Sequence, residues 1–181
     1  MNPLLRDPRA QRLIAANLTS SIGSGITIIA VPWLLVNRDG GNQIFGWTTA
    51  LTTLALFLFA PYYGAWIDRH SRKAMLLIGE VFGATATLTM TLLGLFAGGY
   101  ETWHLVTVYF CGMFYYTLHF PAKFAFVQQV FGRQHYQSLT SAMEIQGQTA
   151  SMIAGGLASV LLDRVELSTI LLVNAGTYAV S

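Results

Sequence analysis

Three ionisable side chains, Glu80, His119 and Glu144, sit inside long apolar runs of this sequence. A charge at the centre of a bilayer costs roughly 2.5–3.5 kcal/mol on insertion scales, and less near the interface. A carboxylate kept there can bind a proton or a cation, or form an ion pair that opens and closes. It can equally be structural, and for Glu144 the favoured reading is a carboxylate near a helix end paired with Lys123 or a loop arginine. Glu80, at a similarly shallow depth, reads as structural. Histidine titrates near neutral pH, but a lone residue such as His119 near an interface is more often a hydrogen-bonded structural group than a proton carrier.

Polar stripes surround these residues. Asn17, Ser20, Ser21, Ser24 and Thr27 recur at helical spacing, with Leu18, Ile22, Ile26 and Ile29 largely on other faces. Thr140, Glu144, Gly147, Gln148, Ser151 and Gly155 form a second stripe. In lipid such faces either glue helices together or line a water-filled cavity, and the first stripe leaves both readings open. Tyr115 and Tyr116 would add aromatic surface to a cavity built mostly of Ser, Thr, Asn and Gln. Gly79 with Gly83, and Gly147 with Ser151 and Gly155, also have the spacing of close helix contacts, which packing alone explains.

Other chemistry is missing. His70, His104 and His135 form no metal-ligand spacing, and the single Cys111 excludes an internal disulfide and a cysteine metal cluster. No activated nucleophile or phosphate-cradling glycine loop is present, so neither an enzyme nor a cofactor or metal is expected. A formal charge of +2 is too small to argue for nucleic acid.

The elements that position these residues are membrane helices. The chain has 181 residues, 54% hydrophobic and 10% charged, with a mean hydropathy of +0.51. Soluble domains carry about 25% charged residues, so this chain must bury its surface in lipid. Runs at about 13–36, 44–66, 74–97, 104–124 and 139–162 reach the roughly 20 residues that a crossing needs. A sixth, 168–181, reads as incomplete, as though the chain were cut or completed by another. The basic amino terminus precedes an apolar run too long for a cleaved signal peptide. Arg6, Arg9, Arg12, Arg69, Arg72, Lys73, Lys123 and Arg133 fall on one side of the alternation, against Arg38 and Arg164 on the other. That bias predicts a cytoplasmic amino terminus. Trp33, Trp47, Trp66 and Trp103 all lie near span ends, where amphipathic rings favour the headgroup zone.

The loop after the second span, "GAWIDRHSRK", concentrates charge. Gly64 and Asp68 are four residues apart and share a helix face. Asp68 could meet the positive end of a facing helix, and Arg69, Arg72 and Lys73 could add pairs across the same seam. Each contact is modest, which suits a latch. This segment resembles the major facilitator superfamily loop signature G-x-L-x-D-R-x-G-R-[RK], with Trp66 and Ser71 at the usual leucine and second glycine. The opening "LRDPRAQRLIAANLTSSIGSGITIIAVPWLLV" and the later "FPAKFAFVQQVFGRQHYQSLTSAMEI" resemble the branch of that superfamily containing enterobactin-type siderophore and macrolide exporters.

The resemblance implies an all-α membrane protein, the six-helix amino-terminal half of a twelve-helix fold over residues 1–181, with the carboxyl-terminal half absent. It implies alternating access, with Gly64, Asp68, Arg69, Arg72 and Lys73 as a conformational latch against a helix of the missing half. Helices one, two, four and five would line a cavity or face the partner, and three and six would lie outermost. Asn17, Ser20, Ser24, Thr27, Tyr115, His119, Glu144, Gln148 and Ser151 are the cavity-lining or coupling candidates. The helix-five export pattern G-P-x-x-G stands here as "GGLAS", with Gly156 and Ser159 at the proline and second glycine, and helix four lacks the arginine of many proton antiporters. The expected function is proton-coupled efflux of a small amphipathic compound across a bacterial inner membrane, with lipid, substrate, protons and a second half as partners. The alternative is a half-length interaction or regulatory subunit without transport of its own.

Overall fold

A computed structural model describes residues 8–131 and 136–180. Arg6, Arg133, His135 and Ser181, which enter the sequence reading, lie outside the described residues. Six helices follow in order: α1 Pro8–Val36, α2 Gly41–Arg69, α3 Arg72–Phe96, α4 Thr102–Val130, α5 Tyr136–Leu161 and α6 Leu167–Val180. Each contains one of the apolar runs almost whole. By length and composition Gln11–Val36, Gly41–Arg69 and Arg72–Phe96 are apolar enough to cross a membrane. α4 and α5, at 29 and 26 residues, match them in length. The four tryptophans project outward near helix ends, between 42% and 71% exposed, as headgroup anchors should.

Local chemistry sets the helix ends. Ser71 caps α3, accepting a hydrogen bond from the Ala74 amide at 3.2 Å. The Glu101 amide that opens α4 donates to His104 Nδ1 at 3.1 Å. Gly40 turns the chain between α1 and α2 in the left-handed region at φ 69°, where a Cβ would be strained. Pro32, Pro61 and Pro121 lie inside α1, α2 and α4, an arrangement that packed membrane helices tolerate.

α1 is the hub, packed against α5, α6, α4 and α2, while α3 packs against α4 and α6. Ile26 and Ala30 of α1 meet Ala154 and Ala158 of α5 and Ile170 of α6. Leu35, Leu105 and Leu171 close the end of the bundle near the α1–α2 and α3–α4 loops. At the opposite end Val127 and Phe131 pack on Leu139 and Met143. A Cβ added to Gly83 would lie 2.9 Å from Tyr178 Cζ, so α3 and α6 approach through a glycine. The second stripe behaves differently. Nothing lies within 4 Å of a Cβ at Gly147, and only Ile29, at 3.9 Å, near Gly155. The packing face of α5 is instead Met143, Gln146, Ala150, Ala154 and Ala158. Close packing therefore explains Gly83 but not the α5 stripe.

Arg38 ties two loops together, donating to the Tyr100 carbonyl and, at 3.2 Å, to Thr102 Oγ1. Hydrogen bonds from charged groups are worth about 1.5–3 kcal/mol, less where partly hydrated. Arg38→Ala is therefore expected to lower the thermal midpoint by roughly 3–6 °C, measured in detergent by intrinsic fluorescence. An unchanged midpoint would show the contact to be dispensable.

Candidate functional site

The inner faces of α1, α4 and α5 enclose a cavity of about 190 Å³. α1 supplies Ser21, Ser24, Thr27 and Ile28; α5 supplies Glu144, Gly147, Gln148 and Ser151. α4 supplies Tyr109, Tyr115, Tyr116, His119, Phe120 and Lys123. Thr87 of α3 and Asn174 and Tyr178 of α6 reach the wall from behind, and α2 lines none of it. Of the two places expected for α2, on the cavity or toward a partner half, the cavity is not the one it takes, and the walls contributed by α3 and α6 are limited to these three residues. α2 instead turns Trp47, Phe57 and Tyr62 outward, each more than 70% exposed.

The first stripe divides between its two readings. Asn17 is buried and its Nδ2 donates to Leu13 O at 2.9 Å, within its own helix. Ser20 Oγ lies 3.2 Å from Tyr115 OH and joins α1 to α4. Neither lines the cavity. One turn on, Ser24 does so while donating to Tyr178 OH at 3.0 Å, and Thr27 does so while donating to Gly23 O at 3.2 Å. Ser20 thus acts as glue, Thr27 as lining, and Ser24 as both.

Tyr115 is buried at the back of the cavity and stacks on His119 with centroids 4.9 Å apart. Its hydroxyl donates to Glu80 Oε1 at 3.0 Å, and His119 Nδ1 lies 3.4 Å from the same oxygen. Glu80, read from sequence as merely structural, thereby joins two cavity residues. Lys123, counted with the cations of one membrane side and named as a partner for Glu144, was not expected in the cavity wall. α4 continues to Val130, so Lys123 is inside the helix, 7% exposed, lining the cavity with its ammonium 5.7 and 5.8 Å from the Phe120 and Phe124 rings. The signal was available: Tyr115, His119 and Lys123 recur every four residues and share one face. Glu144 lines the same cavity, within electrostatic reach of Lys123. Among the described residues the two make no ion pair within 4 Å.

The charged loop lies at one end of the bundle. Asp68, Arg69 and Lys73 are exposed, and a Cβ at Gly64 would meet nothing within 4 Å. Arg72 is half-buried and its Nη1 donates to Ala125 O at 2.6 Å, pinning the start of α3 to α4.

The sequence profile of the Major Facilitator Superfamily matches residues 13–181. The chain belongs to this superfamily. No curated protein and no solved structure matches it. Membership makes the chain a membrane protein and a transporter, and the six-helix, all-α bundle is the half-fold of the superfamily.

Proposed function

We propose that the protein exports a small amphipathic compound by alternating access, in exchange for protons, across a bacterial cytoplasmic membrane. The amino terminus is cytoplasmic, and residues 1–181 act as the amino-terminal half of a unit completed by a second six-helix half. The observation that carries the reading is the unpacked stripe of α5. Gly147, Gln148 and Ser151 face a cavity with Ser24, Tyr115 and Tyr178 opposite, rather than a neighbouring helix. Polar residues left unpacked in lipid need water or a ligand. Rings and hydroxyls together suit a compound with both apolar and polar faces. Efflux and its siderophore-and-macrolide branch are supported by the resemblance of the first and fourth-to-fifth helices.

The test is flux of a fluorescent amphipathic dye in vesicles containing the protein together with its second half. Flux should follow an imposed pH gradient and collapse with a protonophore. Gln148→Trp, which fills the cavity from an exposed position, should lower it at least about tenfold, a loss near 1.4 kcal/mol. Absence of flux under every gradient, for dyes of differing charge, would favour a regulatory or pairing subunit instead.

A further inference from the structure

Glu80 on α3 faces α4 behind the cavity, with 12% of its side chain exposed. Tyr115 OH donates to its Oε1 at 3.0 Å, and His119 Nδ1 lies 3.4 Å from that oxygen. Tyr115 is itself 3.2 Å from Ser20 Oγ of α1 and meets the Tyr178 ring of α6 edge-on at 4.8 Å. Among the described residues other charged or titratable groups approach this seam, Cys111 of α4 near Tyr178 among them. Lys123 lies one turn beyond His119 on α4, and Tyr178 comes from α6. α2 brings Tyr63 against Met75 and Leu118. α1 brings hydroxyls, and Glu144 stands on the α5 wall of the cavity.

We infer that Glu80, Tyr115 and His119 form a proton-binding site that communicates with the cavity through the His119 ring. His119 lines the cavity and presents Nδ1 to Glu80. His119 Nδ1 makes no hydrogen bond at 3.4 Å, so the ring must turn slightly to close the contact. A proton taken up at Nε2 is then matched by one passed from Nδ1 to Oε1, and the imidazole begins and ends neutral while Glu80 becomes the acid. The hydrogen bonds of Tyr115 then change sense. An ionised carboxylate only accepts, which holds the Tyr115 hydroxyl toward Glu80 and leaves Ser20 to donate to Tyr115. A protonated Glu80 donates to the bared Nδ1, and Tyr115 is released to donate to Ser20. One proton thus resets a chain of groups joining α3, α4 and α1. Its use as the proton exchanged for substrate rests on the transport reading above; the site itself does not.

Infrared difference spectroscopy tests the site on the whole protein in lipid, stepped between alkaline and acid pH. The wild type should show a protonated-carboxyl C=O band that Glu80→Gln lacks. Tyr115→Phe keeps the ring contacts but loses the hydroxyl, and should move that band without removing it. Should Glu80→Gln fail to elute as folded protein, Glu80→Asp replaces it and should shift the band. Identical carboxyl bands in wild type and Glu80→Gln would overturn the site, as would a band indifferent to Tyr115→Phe. The expected bands in a protein whose substrate flux moves no protons would uphold the site and sink only the coupling reading.

Discussion

Gly23→Leu is expected to prevent the bundle from assembling. A Cβ at this position would lie 2.3 Å from Thr177 Oγ1, 3.0 Å from Thr177 Cγ2 and 3.0 Å from Asn174 Oδ1. None of these atoms is the end of a long, yielding side chain. Thr177 is β-branched and stiff at χ1, and its hydroxyl already donates to Asn174 O at 2.7 Å. Asn174 is 2% exposed. α1 and α6 must therefore separate, disturbing the adjacent Ser24–Tyr178 hydrogen bond. Overpacking costs 1–3 kcal/mol where neighbours can shift; a leucine forced against helix-bound polar atoms should cost about 3 kcal/mol or more. The measurement is recovery of monodisperse protein by size-exclusion chromatography. Gly147→Leu is the control: nothing lies within 4 Å of its Cβ position, and it should leave recovery unchanged. Equal recovery of both variants would refute the α1–α6 packing.

Asp68→Asn should do the reverse, leaving the fold intact and slowing transport. Asp68 is exposed at the end of α2 and makes none of the hydrogen bonds or ion pairs found among the described residues. Surface substitutions of this kind usually change stability by less than about 0.5 kcal/mol. If Asp68 latches one conformation against a helix amino terminus in the second half, amidation removes an attraction of about 0.3–2 kcal/mol, with further loss from neighbouring ion pairs. A bias of 1.4 kcal/mol changes a two-state ratio about tenfold, so turnover should fall roughly three- to tenfold. Gly64→Leu, at a position where a Cβ has nothing within 4 Å, should share the phenotype if the second half packs there. Arg72→Ala should differ by loosening the bundle itself, because Arg72 is bonded to α4.

The helices were legible because apolar runs of membrane length are bracketed by arginine, tryptophan and glycine. Those signals are local and need no partner. What escaped the sequence was the relation between helices. Gly83 and Gly147 sit in equally regular small-residue patterns, yet one is pressed against Tyr178 and the other is open. Spacing names a face without saying what stands opposite. Glu80 and His119 lie on different helices, and only the register of α3 against α4 brings them within 3.4 Å. The place of Lys123 in the cavity escaped for another reason. The apolar run weakens there, whereas the helix continues to Val130 and is closed at Phe131, whose amide still donates to Val127 O at 3.1 Å.

Alternating access around the α1–α4–α5 cavity is the central claim, and side-resolved labelling at Gln148 tests it most directly. In the whole protein with Cys111 replaced by serine, a single Gln148→Cys is treated with a membrane-impermeant maleimide from one side or the other. The cavity reading predicts reaction from both sides, with Asp68→Asn shifting the balance toward the cytoplasm. Reaction from one side only, whatever the gradient and with or without Asp68, would contradict it.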